Sequence, residues 1–112
     1  MIVYNETRKI VLCPDTVEAG DFFSRFLGLM FKTSLPSGKG LLLYPGAMIH
    51  TCFMRFSIDV VFISRDKKVI GVYRSMKPWR FSRWHRGAYY TLEAACGQLS
   101  DKVFEGDILS FR

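Results

Sequence analysis

Cysteine is scarce in this chain, and acid is outnumbered by base. Of 112 residues only Cys13, Cys52 and Cys96 are cysteine, an odd number with no Cys-x-x-Cys spacing. Neither a disulfide framework nor a structural zinc site is indicated, and a reducing compartment fits best. The only histidines are His50 and His85, so no third ligand stands at a recognisable metal spacing. Long hydrophobic runs are missing as well: the apolar segments 40–44 and 60–63 fall far short of the roughly 18 residues a membrane-spanning helix needs. The opening residues lack a basic region followed by an apolar block and a small-residue cleavage site. No secretory signal is read there, and the expected location is cytoplasmic. Phosphate loops, dinucleotide fingerprints, Gly-x-Ser-x-Gly elbows, and RNP, KH or zinc-knuckle patterns are also absent. No cofactor and no metal are expected.

The residues that are present describe a packed protein. With 49% hydrophobic, 15% aromatic and 23% charged residues, disorder is excluded and residues 1–112 are expected to form a single domain. The net charge of +6 is unevenly spread: residues 1–66 carry 7 Lys/Arg against 6 Asp/Glu, and residues 67–112 carry 9 against 4. This basic protein therefore concentrates its excess charge in its second half. Such a balance suits an anionic partner, although it is also what keeps many ordinary domains in solution.

Most segments alternate like strands. IVY at 2–4 and KIVL at 9–12, separated by a polar turn, predict an N-terminal hairpin. Asp15 followed by Glu18 has the spacing of a capping box, and Phe22, Phe23, Phe26, Leu27 and Met30 recur at helical steps, predicting a helix over about 16–27. GLLLY at 40–44 reads as a buried strand. The stretch 50–63, HTCFMRFSIDVVFI, reads as the central strand: Phe56, Ile58, Val60 and Phe62 fall on one face, Arg55, Ser57, Asp59, Val61 and Ile63 on the other. VIGVY at 69–73 is expected to pair antiparallel with it, because the SRDKK turn is too short for a crossover. Residues 75–87 show neither period and read as a long loop, followed by a strand at 89–95, a short helix near 98–104 and a terminal strand ILSF. The fold class is mainly β: a small antiparallel β-barrel or jelly-roll-like sandwich with one or two short helices.

Three groups carry candidate chemistry. His50 and Cys52 share a face of a regular strand, as a base and nucleophile or two metal ligands would; continued alternation would instead bury both beside Phe56. Arg55 and Asp59 share the other face, but four residues of straight strand separate their Cα atoms by roughly 13 Å. Asp59 among apolar neighbours is expected to be satisfied by backbone amides, or by an arginine such as Arg25 or Arg74. Residues 67–86 hold seven Lys/Arg and no Asp or Glu. Lys77, Trp79, Arg80, Arg83, Trp84 and Arg86 would there form a single-strand nucleic-acid surface. The plain alternative is a solvated loop whose tryptophans cap the core while its arginines face water.

Arg25…Gly28-Leu29-Met30, the turn 35–40 leading into GLLL, His50-Thr51-Cys52-Phe53-Met54-Arg55-Phe56, Ile58-Asp59-Val60-Val61-Phe62, Leu92-Glu93-Ala94…Gly97 and Gly106-Asp107 together resemble domain-of-unknown-function family 192, DUF192. The resemblance runs from about residue 8 to the end. It implies a compact, mainly β fold with no established activity. It also implies that the matching positions Arg25, Gly28, Met30, His50, Met54, Arg55, Asp59, Glu93 and Gly106 line one surface. The chain departs from the pattern at Ser57 and Ser64, where a proline and an acid are common, and across 76–88, which is more basic and aromatic.

The leading expectation is a non-enzymatic domain binding an unidentified small molecule or peptide through Arg25, Met30, His50, Met54, Arg55, Asp59 and Glu93, near Thr51 and Phe53. An enzyme using His50 and Cys52, and single-stranded nucleic-acid binding through residues 67–86, are the two alternatives. A monomer or weak dimer is expected.

Overall fold

The computed structural model describes residues 1–19, 35–52 and 54–112. Strands β1 (Val3–Asn5), β2 (Ile10–Cys13) and β8 (Leu109–Phe111) form one antiparallel sheet in the order β2-β1-β8. The hairpin anticipated at the N-terminus is there, with Tyr4 opposite Val11. Its turn is held by the Asn5 side-chain oxygen, which accepts the amides of Thr7 and Arg8 at 3.1 and 3.2 Å. Asp107, buried next to it, accepts hydrogen bonds from Asn5, Arg8 and the Phe104 amide. Burial alone would push that carboxyl up, but these three donors outweigh it and hold its pKa below the usual carboxylate range.

The second sheet has five strands in the order β3-β4-β7-β5-β6. These are β3 (Asp15–Ala19), β4 (Lys39–Leu43), β5 (Ile58–Ser64), β6 (Val69–Met76) and β7 (Ala88–Ala95). Four expectations are corrected here. The segment from Asp15 is a strand and not a capped helix start, and it runs parallel to β4. Its tertiary partners win over the local cap: Lys39 pairs with the Asp15 carboxylate, while the Thr16 amide and carbonyl bond the main chain and amino group of Met1. Residues 20–27 of the expected helix lie outside the described residues. The segment 98–104 is a run of turns, because its carbonyls are taken by side chains: Arg74 donates to the carbonyls of Ser100 and Val103, and Asn5 to that of Lys102. The central strand begins at Ile58, not His50, since the Cys52 amide turns back onto the His50 ring and the Met54 amide onto the Thr51 carbonyl. Finally, the mainly β class holds, with the described strands in two sheets and not a closed barrel; the one or two short helices are what is corrected, since no helix is found among the described residues.

Both faces of the larger sheet are covered. Val61 and Ile63 of β5 join Leu42, Val69, Leu92 and Ala94 against Val3, Leu12, Cys13 and Leu109 of the smaller sheet, with Leu99 and Val103 from the turns. Ile58, Val60 and Phe62 point the opposite way and pack with Met54 and Met76. The alternation read for residues 56–63 is therefore real, and it explains why six consecutive β5 residues are buried. Among the described residues no helix is long and apolar enough to cross a membrane.

Candidate functional site

Asp59 lies on the inter-sheet face, 1% exposed. Its two oxygens accept the Ser75 amide at 2.9 Å and the Leu99 amide at 3.0 Å. The pairing register shifts at this point, with Val60 opposite Tyr73 but Ile58 opposite Met76, so Asp59 faces a bulge made by Arg74 and Ser75. Ser75 takes the left-handed conformation there, at φ 55°. The carboxylate thus satisfies a bulge amide and ties down the turn after β7, as the sequence suggested it would through backbone donors.

The opposite face carries Glu93 on β7, the middle strand, between Leu41 and Val60. Its Oε2 is buried and has no hydrogen-bond partner among the described residues. Burial pushes the carboxyl up to about 7. Further along this face His85 stacks on Phe62 with ring centroids 4.2 Å apart, and its Nε2 lies 2.9 Å from the Tyr73 hydroxyl. Burial, helped by Arg83, lowers the His85 pKa. Gly71 makes room for it: a Cβ there would come 2.7 Å from His85 Cε1. Gly71→Ala is expected to cost about 1–3 kcal/mol by forcing the ring off its stack. A urea midpoint equal to that of the wild type would show that the ring moves aside freely.

The third region is the loop after β6. The Thr51 and Ser82 amides donate to the carbonyls of Arg80 and Ile49, and the Trp79 and His85 amides to those of Thr51 and Ala47. The Thr51 hydroxyl adds a bond to the Lys77 carbonyl at 2.6 Å and accepts the Arg80 amide at 2.8 Å. Residues 77–86 are thereby laced to 47–51. Within them a triplet repeats: Arg80-Phe81-Ser82, Arg83-Trp84-His85, Arg86-Gly87-Ala88. Ser82 and His85 are buried while the arginines and rings stand outward, with Trp79 56%, Phe81 66% and Trp84 70% exposed. Beside them an open groove of about 400 Å³ is lined by Pro45, Gly46, Ala47, Met48, Trp84 and Ala88.

The residues singled out from sequence are distributed over several places. Asp59 faces the inter-sheet core, whereas Met54 and Glu93 belong to the opposite face. Arg55 is exposed, so Asp59 does not share its surroundings. His50 is exposed and Cys52 half-buried, which corrects their inward placement; the His50 Nδ1 accepts the Cys52 amide at 3.2 Å. Arg25, Met30 and Phe53 lie outside the described residues. Lys77, Trp79, Arg80, Arg83, Trp84 and Arg86 are all exposed, the two tryptophans at 56% and 70%. The groove beside Trp84 was not visible in sequence, because residues 45–48 and 84–88 are remote in the chain and are brought together by the fold, the His85 amide donating to the Ala47 carbonyl. Among the described residues no group of three or more His, Cys, Asp or Glu is placed to hold a metal ion.

Comparison with known proteins settles the lineage. The family profile DUF192, described as "Uncharacterized ACR", matches residues 6–111. The chain belongs to the DUF192 family. A UPF0127 protein of Pyrococcus furiosus is 38% identical over 84 residues, covering 70% of each chain. A UPF0127 protein of Thermococcus sibiricus is 35% identical over 104 residues, 86% of this chain and 64% of that relative. The crystal structure of a protein from Novosphingobium aromaticivorans superposes with a TM-score of 0.83 at 19% identity, covering 98% of this chain and 82% of that one. At such identity the likeness shows the fold alone. This DUF192 chain thus has its family and fold in common with uncharacterised relatives, and its chemistry must be read from its own surface.

Proposed function

We propose that this protein is a non-enzymatic binding domain for single-stranded nucleic acid, with residues 77–86 as its binding surface. The observation that carries the reading is the outward presentation of Trp79, Phe81 and Trp84 on a loop that is braced by main-chain hydrogen bonds. Large rings left in water forgo burial energy, and contiguous exposed apolar surface marks interaction sites. A braced loop has already lost its conformational freedom, so binding need not order it. Ring faces suit unstacked bases, and the guanidinium groups of Arg80, Arg83 and Arg86 suit phosphates. No Asp or Glu stands between residues 67 and 86, so the charges the segment itself contributes are all positive.

A labelled oligothymidylate tests this by fluorescence anisotropy. Binding is expected to weaken with salt at a slope of about −0.7 in log K against log salt per phosphate neutralised. Combined replacement of Arg80, Arg83 and Arg86 by Ala is expected to flatten that slope by about 2 and abolish binding at physiological salt. Binding indifferent to the three substitutions, or none at low salt, removes the proposal.

A second reading is favoured by the buried Glu93 Oε2, which has no hydrogen-bond partner among the described residues. A small molecule or peptide that donates a hydrogen bond would satisfy it, at the face that also carries Met54. A saturating ligand would then raise the melting temperature by mass action, and Glu93→Gln would reduce that rise.

A further inference from the structure

We infer that the groove between Trp84 and Met48 is a nucleobase pocket, holding one unstacked base of the bound strand. The inference rests on the nucleic-acid reading and adds to it a particular subsite. In the first two triplets of the loop an arginine is followed by an outward ring and then an inward residue; in the third, Gly87 stands where a ring would be. Gly87 has φ 88° and nothing within 4 Å of where a Cβ would lie. The groove lies beside Trp84, lined by Pro45, Gly46, Ala47, Met48, Trp84 and Ala88.

Size, shape and charge agree on the occupant. At about 400 Å³ the space is large enough for one base. Its lining is apolar and includes the exposed Trp84 ring and Met48 thioether, 70% and 45% exposed, groups that suit the face and edge of a base. The exposed Arg83 and Arg86 flank Trp84 in the chain, where the phosphates on either side of that base would run. A nucleotide uses both the apolar lining and the exposed arginines, and an anionic lipid, which could also use both, is the rival that the vesicle arm of the test separates.

The test compares wild type, Trp84→Ala and Trp84→Phe with the labelled oligothymidylate, and adds adenosine monophosphate alone to Trp79→Phe, in which Trp84 is the sole tryptophan. Trp84 is exposed, so neither replacement disturbs the core. Saturable quenching of Trp84 by the mononucleotide is expected. Trp84→Ala is expected to weaken oligonucleotide binding about ten-fold or more with an unchanged salt slope, and Trp84→Phe to recover most of the loss. Full oligonucleotide affinity in Trp84→Ala would overturn the pocket and leave the binding surface standing. Failure of the triple arginine variant to matter as well would overturn both. Sedimentation with phosphatidylglycerol vesicles, with no binding of either nucleotide probe, would overturn both in favour of a lipid surface.

Discussion

Glu93→Gln is expected to stabilise the protein by about 3 kcal/mol above pH 7, a rise of about 10 °C in Tm, and to leave its stability at pH 4 nearly unchanged. The wild-type carboxyl titrates at about 7 when folded, against an ordinary value of 4.5. Below pH 4.5 it is protonated in both states and burial carries no ionic penalty. Between pH 4.5 and 7 the unfolded chain ionises while the folded one keeps its proton, so stability falls across that window and is flat above it. Glutamine has nearly the same shape and does not titrate. Thermal unfolding of both proteins from pH 4 to pH 8 gives the answer, and parallel curves would show that Glu93 meets a compensating donor.

Asp59→Ala is expected to cost about 3–5 kcal/mol, since it deprives two amides of a charged acceptor at once. Both donors, on Ser75 and Leu99, sit at irregular backbone: the β6 bulge with its left-handed Ser75, and the turns after β7. Neither has a ladder partner to fall back on. Denaturant unfolding measures the loss, and Asp59→Asn separates its parts by retaining one acceptor. A cost below about 1 kcal/mol would mean that water replaces the carboxylate, and would reopen Asp59 as a ligand contact. On present geometry its role is to hold the bulge.

Legibility followed the range of the interactions concerned. The two faces of residues 58–63 could be read from alternation, because the same side chains that alternate also pack the two cores. The satisfaction of Asp59 by backbone amides could be anticipated, because a carboxylate in an apolar strand requires donors whichever segment brings them. The strand at Asp15–Ala19 was hidden behind a helical cap spacing, since its partners Met1 and Lys39 are remote in sequence. The turns at 98–104 were hidden for the same reason: Asn5 and Arg74 take the carbonyls that a helix would have used.

By itself the sequence determined the β class, the N-terminal hairpin, the order of most strands and the family, all of which rest on local periodicity and ordered motifs. It also placed the basic, aromatic character in residues 67–86. Only the tertiary structure decided which way that character faces. A loop rich in tryptophan and arginine can cap a core or confront solvent with the same residues. Here the Thr51 hydroxyl, the buried Ser82 and the stacking of His85 on Phe62 over Gly71 pin residues 82 and 85 inward. The arginines and rings between them are left to the outside, and the surface exists because of those anchors.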